Sequence, residues 1–381
     1  MPAPRLNIFV AGSPLDPAVL AQMTRAEVRE SDSDPSVLAL RFSLVQHGNG
    51  EFSPLDDNVF EPGAAIAFEL EPPGGLVQRI FDGAITHIRP HFEIVPANAY
   101  VELLAMDAAV MLDAEERVAA WPNMKDSDVV TQVLSGYQLA AQVDDTPVTY
   151  DEDRQLLMQR GTDWRFLQHL ARRNGACFFF EYDQSQQQVV GHFGAPAVSA
   201  AAQPDVVVLQ DDRNLNWADL QLRATGPVTR TAAAIDPIGK EIIRGDGTPS
   251  LSLLGADDAA EAVENGLKAA GAAAAVAFVR DPFPLDEAIG AETTAATDAA
   301  RFVIELRAEL DPSLYRGILR ARRPVLVRGV GRLFSGIYYV ESVRTTVDQS
   351  LLTQSFVASR NATGQTGQED FGQSAQEVPP E

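Results

Sequence analysis

The residues best suited to bind a metal ion in this sequence are two histidines, His87 and His91, in the run THIRPH. On an extended strand, side chains four positions apart face the same side but lie about 13 Å from each other. A zinc ion needs ligands within about 2.3 Å, and neither the single cysteine nor a third histidine is close in the sequence. The spacing disfavours a metal site, and we predict that the protein uses neither a metal nor another cofactor.

Adjacent acidic residues are the candidates for general acid and base catalysis. Four such pairs are Asp56-Asp57, Asp144-Asp145, Asp211-Asp212 and Asp257-Asp258. Nothing in their context distinguishes one pair from the others, and acidic residues of this kind commonly form turns and helix caps. No serine nucleophile motif is present, and the glycines at 329 and 331 lack the third glycine of a dinucleotide-binding loop. We therefore predict no catalytic residues and no enzyme activity.

The charge of the protein restricts its partners. Its 381 residues include 53 acidic and 30 basic ones, which gives a formal net charge of −23. Nucleic-acid binding needs clustered Lys and Arg, so this balance disfavours specific binding of nucleic acid. No apolar run approaches the roughly 20 residues that span a bilayer, and the N-terminus has no signal-peptide pattern. We predict folding in the cytoplasm of the producing cell, with no membrane insertion of this chain.

A short helix followed by an aromatic strand is the clearest local pattern, in the run GTDWRFLQHLARRNGACFFFEY. Thr162 and Asp163 can accept hydrogen bonds from the first amide groups of a helix. Trp164 and the apolar residues after it recur at helical spacing, which predicts a buried face anchored by the indole. Gly175 suits the left-handed conformation that often ends a helix. The single cysteine, Cys177, lies in the strand, where we predict a buried structural thiol.

Alternation of apolar and polar residues divides the chain into regions. Up to about residue 112, it predicts many short antiparallel strands joined by turns, typical of a small barrel or sandwich. Residues 113–204 mix strands with helices, one of them capped near Asp126, and end in an Ala-rich run that suggests a linker. Strands resume at residue 205, an Ala-rich helical stretch follows, and residues 298–310 are predicted as helix.

Two segments of the chain are similar to each other. The runs IFDGAITHI, from Ile80, and LFSGIYYV, from Leu333, share an aliphatic residue, Phe, a small turn-forming residue and Gly, followed by alternation. An imperfect repeat of this kind indicates a duplicated supersecondary unit. Chance similarity between two strand–turn–strand segments is the alternative. In this alignment Gly83 corresponds to Gly336.

Taken together, these motifs resemble the phage late control protein D family, which includes tail hub proteins of contractile phages and the hub portion of VgrG-type spikes. The resemblance covers roughly residues 6–361, and the order and spacing of the motifs carry it more than any single one. Its residues are Phe60, Pro62 and Gly63; Phe81, Gly83 and Ile85; Asp126 to Val130; Asp163, Trp164, Phe166, Leu167 and Gly175; and Phe334, Gly336, Tyr338 and Phe356.

The resemblance implies a fold that is mainly β with an α+β insertion: two similar small antiparallel β-barrel domains plus an α+β middle region. The implied limits are 1–112 for the first barrel, 113–204 for an α+β domain with the Trp164 helix, 205–235 and 311–361 for the second barrel, 236–310 for a helical or α+β insertion within it, and 362–381 for a disordered acidic tail. No spike barrel or needle is expected after residue 361.

The resemblance also implies a function, that of a structural baseplate hub protein of a contractile phage tail or contractile injection system. A homotrimer would adapt the sixfold inner tube to the threefold spike. The implied partners are the inner tail tube or tube-initiator protein, a separate spike protein and baseplate wedge components. The chain would be made in the bacterial cytoplasm and become part of the assembled tail or injection particle, the baseplate of a virion.

Several alternatives stay open at this point. A phage tail, a tailocin and an extracellular injection system all fit these residues equally well. A peptidoglycan-degrading hydrolase of a tail is the alternative function. It needs two carboxylates about 5–10 Å apart at a cleft, and the sequence nominates no such pair.

Overall fold

The structure is a computed structural model that describes residues 4–365 except 73–74, 96–97, 154–155, 210–211, 227, 272–275, 281 and 349–350. Most of the predicted acidic tail, residues 366–381, therefore lies outside the described residues. The predicted fold class is confirmed, because strands dominate and two barrel-like units flank a mixed α+β region.

Strands and helices follow one another along the chain in three stretches. The elements up to residue 112 are β1 (Arg5–Val10), β2 (Ser13–Pro14), α1 (Pro17–Leu20), β3 (Met23–Ser31), β4 (Val37–Ser43), β5 (Val45–Gln46), β6 (Phe52–Ser53), β7 (Ala65–Glu71), β8 (Gln78–His91), β9 (Tyr100–Met106) and α2 (Ala109–Leu112). Those of the middle region are β10 (Glu116–Trp121), β11 (Met124–Lys125), α3 (Asp126–Gly136), β12 (Ala140–Val143), β13 (Thr149–Tyr150), β14 (Leu157–Thr162), α4 (Asp163–Arg173), β15 (Cys177–Asp183) and β16 (Gln188–Gly194). The rest are β17 (Gln203–Val207), β18 (Leu215–Leu222), β19 (Thr229–Ile235), β20 (Ile242–Asp246), β21 (Asp257–Asp258), α5 (Ala259–Ala269), β22 (Val276–Phe278), α6 (Asp286–Ala300), β23 (Ile304–Leu310), β24 (Pro324–Arg328), α7 (Gly331–Phe334), β25 (Gly336–Asp348), β26 (Leu351–Arg360) and β27 (Ala362–Thr363).

The two barrels have the same connectivity. The first barrel has the spatial order β3-β4-β9-β8-β7-β1, and the second has β18-β23-β26-β25-β24-β17. If the six main strands of each barrel are numbered from first to last along the chain, both barrels have the same spatial order of strands. Each set of six strands packs its apolar side chains into one cluster, which requires the sheet to curl around it. The pairings differ in one respect: β1 runs antiparallel to β7, whereas β17 runs parallel to β24.

Backbone irregularities recur at matching places in the two barrels. The pairing of β8 with β9 has a bulge at Thr86, and that of β25 with β26 has one at Glu341. Just before the bulge, the carbonyl of Ile85 accepts a 2.7 Å bond from the Gly63 amide, and the carbonyl of Val340 accepts a 2.7 Å bond from the Arg322 amide. Gly63 and Arg322 both have positive φ, 83° and 67°. The duplication therefore extends to the turn that precedes the fourth strand of each barrel.

The sequence repeat was correct about the duplication but wrong about its register. When the two barrels are aligned at their bulges, Ile85 corresponds to Val340, and Gly83 therefore corresponds to Tyr338 and not to Gly336. A shift of two residues leaves every side chain on the same face of a strand. Alternation in the sequence cannot distinguish the two registers for this reason.

Strand β25 joins the barrels into one continuous sheet. Along one edge it pairs with β26. Along the other edge, residues 336–339 pair with β24 and residues 342–348 pair with β3 of the first barrel. The two barrels are thus held to each other by a backbone ladder within a single chain.

The middle region and the insertion share a third core. A three-stranded sheet, β12-β16-β15, packs against α3 and α4, and the apolar cluster between them includes Leu285 and Ala288 at the start of α6. The rings of Tyr150 and Phe283 lie 4.8 Å apart across this contact. Two regions that are separate in the sequence are therefore packed as one body.

Three expected element positions were wrong. Residues 298–310 were predicted as helix, but α6 ends at Ala300 and β23 is a strand of the second barrel, with alternate residues from Ile304 to Leu310 buried. Strand β19 was expected in the second barrel, but it pairs with β20 and β22 in a separate sheet of the insertion. The tail was expected to start at residue 362, but β27 pairs with β21.

Gly83 offers a test of how closely the first barrel is packed. A Cβ at this position would lie 2.7 Å from the carbonyl carbon of Met106, a backbone atom of β9. We expect Gly83→Ala to lower the free energy of unfolding by about 1–3 kcal/mol or more, because the strands must separate to admit the methyl group. Thermal and urea unfolding would measure this.

A matched control is Gly266→Ala in α5, where an added Cβ meets no heavy atom within 4 Å. This control should raise the stability by up to about 1 kcal/mol because Ala favours the helix. Equal stability of Gly83→Ala and the unmodified protein would contradict the close approach of β8 and β9.

Candidate functional site

The predicted motif helix is α4, and its first turn holds a buried carboxylate. Thr162 caps the helix by accepting a 3.3 Å bond from the Arg165 amide. Asp163 is almost fully buried and accepts hydrogen bonds from the Tyr137 hydroxyl at 2.7 Å and from the Gln159 amide at 2.6 Å. Arg117 lies 3.1 Å from the same carboxylate. These contacts tie α4 to the end of α3 and to strands β10 and β14.

The aromatic residues of the motif form a core. The Trp164 ring lies 5.3 Å from Phe178 and 6.3 Å from Phe180, both in β15. Phe166 stacks on Trp121 at 6.4 Å, and Leu167 is fully buried. Because these side chains face the interior, the motif positions a sheet and presents no surface to a ligand.

The end of α4 packs against the insertion. Gly175 has a φ of 63°, and a Cβ there would lie 3.1 Å from the Cβ of Ala295 in α6. Arg173 forms a buried ion pair with Asp126 at the start of α3, and the Asn174 amide donates to the same carboxylate at 2.6 Å. Helices α3, α4 and α6 are therefore held by one set of contacts.

The first-barrel motif residues lie around a single turn. Phe60 is buried with its ring 5.1 Å from Phe42, whereas Pro62 and Gly63 are exposed in the turn before β7. Phe81 is buried in the barrel core, and Gly83 approaches the backbone of β9. These residues shape the barrel.

The second-barrel motif residues surround a buried arginine. A Cβ on Gly336, whose φ is 143°, would lie 2.6 Å from Cζ of Arg360. Arg360 is fully buried; its guanidinium donates to the carbonyls of Leu254 at 3.1 Å and Ser335 at 2.9 Å. The Tyr338 hydroxyl donates to the carbonyl of Phe334 at 2.8 Å, and Phe334 lies in α7.

The motif residues thus occupy three separate places, and the structure does not bring them together. What it does bring together is a cluster that the sequence did not indicate. We call it the junction cluster: Glu30 of β3, Arg320 and Arg322 before β24, and Glu181 of β15. It lies where the first barrel, the second barrel and the middle region meet.

The geometry of the junction cluster is that of a buried ionic network. Arg320 donates from Nε to Glu30 at 2.8 Å and lies 3.4 Å from Glu181. Arg322 lies 3.4 Å from Glu30, and its guanidinium stacks 4.2 Å from the ring of Phe179. All four charged groups are largely removed from water.

The pKa shifts of two members of the junction cluster follow from this pairing. Burial acts to lower the pKa of Arg320, but the carboxylates of Glu30 and Glu181 outweigh it and raise that pKa. Burial acts to raise the pKa of Glu181, but Arg320 and the neighbouring arginines lower it. Two acidic and two basic side chains therefore face one another within the cluster.

Two carboxyls near the junction behave differently. Burial raises the pKa of Asp107 to about 6, although the amides of Ser36 and Ala109 donate to it. Burial and the nearby Glu341 raise the pKa of Asp32 to about 6. Both groups bind protons more tightly in the folded protein than an ordinary Asp does.

The residues weighed for chemistry lie in ordinary structural settings. His91 bonds Glu93 at 3.2 Å, and His87 lies 3.0 Å from the Thr86 hydroxyl. Burial raises the pKa of the Cys177 thiol to about 12, which makes it unreactive. Within the described part of the chain, no group of three or more His, Cys, Asp or Glu residues could hold a metal ion.

Three described members of the acidic pairs cap a turn, cap a helix or pair with lysine. Asp258 caps α5 by accepting from the Ala260 amide at 2.8 Å, and Asp56 accepts from the Phe52 amide at 2.7 Å. Asp145 pairs with Lys125 at 2.8 Å. Asp211 lies outside the described residues.

Comparisons with solved structures show what the chain is similar to. The 43 kDa tail protein of prophage MuSo2 from Shewanella oneidensis has a TM-score of 0.65 and 10% identity, over 94% of this chain and 99% of that chain. The tail protein from Neisseria meningitidis MC58 has a TM-score of 0.61 and 10% identity, over 95% and 98%. The c3393 protein of E. coli, a component of the type VI secretion system, has a TM-score of 0.56 and 13% identity, over 94% and 78%. The chain has the fold of tail hub and VgrG-like proteins, as the sequence motifs indicated.

Sequence comparisons add little to this. A family model described as the Alg8 N-terminal domain matches residues 37–201, less than half of the chain. That segment begins at the start of β4, within the first barrel, and ends after the middle region, so it corresponds to no single core. No curated protein matches the sequence. Among the described residues, every helix is too short or too polar to cross a bilayer.

Removal of Glu30 tests the junction cluster. Glu30→Ala leaves two buried arginines with one carboxylate between them, and we expect it to lower the free energy of unfolding by roughly 3–5 kcal/mol. The control is Glu305→Ala, which breaks an exposed pair with Arg307 and should cost under about 1 kcal/mol. Chemical unfolding of both variants measures the difference. Similar small losses would mean that the cluster contributes little to joining the barrels.

The pH dependence of stability tests the raised pKa of Asp107. Between its ordinary pKa of 3.8 and about 6, the folded protein keeps the proton that the unfolded chain releases. The contribution is fully present below about pH 4 and is lost as the pH rises through 6. We expect Asp107→Asn to lose less stability than the unmodified protein between pH 4 and 7, and the exposed Asp153→Asn to behave as the unmodified protein does. Parallel curves for all three would contradict the shift.

Proposed function

We propose that this chain is a structural baseplate hub protein of a contractile phage tail or contractile injection system. The observation that carries the proposal is the duplicated barrel, with one strand order used twice and a shared backbone ladder between the two units. The fold-level similarity to tail proteins supports it. The chemistry of the described side chains also fits a structural role, because the buried ion pairs of Glu30 with Arg320 and of Asp126 with Arg173 join elements of the fold.

A duplicated barrel solves a problem of symmetry. A threefold assembly of single units cannot match a sixfold tube evenly, because each subunit would face two different partners with one surface. A chain with two similar barrels offers two similar seats. Three copies then present six seats to the tube on one side and keep threefold symmetry for the spike on the other.

The barrels and the shared third core have different roles in the proposed hub. The two barrels form the ring, and the shared third core of the middle region and insertion holds them at a constant distance. Adjusted to the observed strands, the second barrel comprises residues 203–222, 304–310 and 324–360, with the insertion between its second and third strands.

The proposed partners follow from the same arrangement. They are two further copies of the chain, the inner tail tube or a tube-initiator protein, a spike protein and baseplate wedge components. The place of the chain is then the assembled tail or injection particle. A net charge of −23 suits a ring through which DNA or an effector passes without adhering.

The mass of the purified chain in solution tests this function. We expect a trimer by native mass spectrometry or light scattering, and rings with six similar lobes in electron micrographs. The control for the alternative function is a peptidoglycan turnover assay, in which we expect no release of soluble fragments. A monomer at all concentrations, or turnover of peptidoglycan, would contradict the proposal.

A further inference from the structure

We infer that copies of this chain join head to tail by strand pairing, with residues 87–93 of one copy alongside β18 of the next. This inference rests on the proposed function, because it names the surface through which the ring closes. Its template is the pairing of β3 with β25 inside the chain. Because the barrel is duplicated, each of these two strands has an equivalent elsewhere in the chain.

The template uses one divided edge. Beyond its bulge at Glu341, β25 turns away from β24, and residues 342–348 pair with β3. The strand β3 is the outermost main strand of the first barrel and has a bulge of its own at Thr24. The second barrel thus receives the outer strand of the first.

An equivalent divided edge and an equivalent outer strand occur a second time in the chain. Among the described residues, neither has a pairing partner along the edge in question. Strand β8 has its bulge at Thr86; before it, residues 78–84 pair with β7, and beyond it only β9 pairs with β8, along the other edge. Strand β18 corresponds to β3, has its bulge at Asn216 and pairs only with β23. The first barrel therefore has the divided edge, and the second has the outer strand that fits it.

Alignment at these bulges sets the register between copies. Glu341 corresponds to Thr86, and Thr24 corresponds to Asn216. The pairs Ser342–Ser31 through Asp348–Arg25 then become His87–Arg223, Ile88–Leu222, Arg89–Gln221, Pro90–Leu220, His91–Asp219, Phe92–Ala218 and Glu93–Trp217.

An ion pair of the template survives this transfer, although it was not used to derive the register. Within the chain, Glu27 of β3 lies 3.7 Å from Arg344 of β25. The positions that correspond to them are Asp219 and Arg89, one acid and one arginine again, both exposed in the single chain. Opposite charges would therefore meet across the contact between copies at the same diagonal.

Exposed apolar side chains lie at the far end of the proposed contact. Trp217 of β18 is 48% exposed, Phe92 is 54% exposed and Ile94 is fully exposed. In the derived register, Trp217 lies opposite Glu93 and shares its face of the sheet, whereas Phe92 and Ile94 point to the other face. Burial of these side chains, one on one face of the sheet and two on the other, would add hydrophobic stabilisation to the strand pairing.

At the opposite end of the contact, charges disfavour an exchange in which β3 pairs with β8 and β18 pairs with β25. Glu30 of β3 needs the arginines of the junction cluster, but in the first barrel Glu61 and Gly63 occupy the places of Arg320 and Arg322. Strand β18 has Leu222 in the place of Glu30. A β3 strand placed on β8 would bury its carboxylate without a cation, at a cost of several kcal/mol. Each outer strand therefore has one matching edge.

Pro90 limits the strength of the contact. It has no N–H, so the ladder between copies has one donor fewer than the ladder within the chain. Proline is tolerated at strand edges, and in this position it makes the contact weaker than the junction of β3 with β25. A contact between copies that is weaker than the contact within the chain suits a protein that folds before it assembles.

Engineered disulfides test the register. In the variant Arg89→Cys/Gln221→Cys, the two thiols would face each other between copies, and oxidation should give covalent trimers on a non-reducing gel. The matched out-of-register variant, Arg89→Cys/Asp219→Cys, should cross-link at least tenfold more slowly. Mixing the two single variants, Arg89→Cys and Gln221→Cys, should give covalent dimers, whereas neither alone should.

The outcomes separate this inference from the proposed function. Trimers in solution that do not cross-link in register, that cross-link equally out of register, or in which a single variant links to itself, would overturn the inference and leave the hub proposal standing. A chain that is monomeric at every concentration would overturn the hub proposal as well.

Charge reversal gives a second measurement that needs no disulfide. Asp219→Arg and Arg89→Asp should each weaken association roughly fivefold, and the double variant should restore it. The double variant is needed because Arg89 also lies 3.9 Å from Glu102 of its own chain. Failure of the double variant to recover would count against the derived register.

Discussion

The architecture depends on one strand edge, that of β25, which is shared between β24 and β3. A backbone ladder is directional and fixes both the distance and the register of the strands that it joins. The two barrels are therefore parts of one sheet, and their relative position does not depend on a flexible linker. The shared core of the middle region and the insertion stabilises the same arrangement from outside the sheet.

Charge determines which strand occupies that edge. Glu30 is buried against Arg320 and Arg322, and Glu181 from the middle region joins them. Burial of four charges contributes little net stability compared with apolar packing, but any other partner would leave a charge unpaired. Arg322 also adopts a left-handed backbone conformation that favours glycine, and the equivalent residue of the first barrel is a glycine. In the second barrel, the residue with this strained backbone conformation is Arg322, whose side chain belongs to the junction cluster.

Duplication followed by divergence would explain how copies of one chain could build the proposed ring. The contact inside the chain and the proposed contact between chains use equivalent strands, equivalent bulges and an equivalent diagonal ion pair, yet differ in the residues that are buried. Within the chain, Glu30 is buried among arginines, whereas the corresponding position of the proposed contact is Leu222; the exposed Trp217 lies at the opposite end of that contact. In the proposed ring, similar contacts would give near-sixfold geometry, and their differences would keep the assembly threefold.

The fold class with two barrels came from the resemblance of the ordered motifs to a known family, and the repeat indicated a duplication with chance similarity left open. Residue patterns alone were enough to identify the local elements: the capped helix with Trp164 inward and the aromatic strand after it. These depend on neighbours a few residues apart. The patterns misassigned β23 because the Ala-rich helix before it extends to Ala300, although Ile304 to Leu310 alternate at strand spacing. They also misplaced the repeat by two residues, since that slip leaves each face unchanged. The junction emerges only in the folded chain, because Glu30 and Arg320 are 290 positions apart and chain spacing carries no information about such a contact.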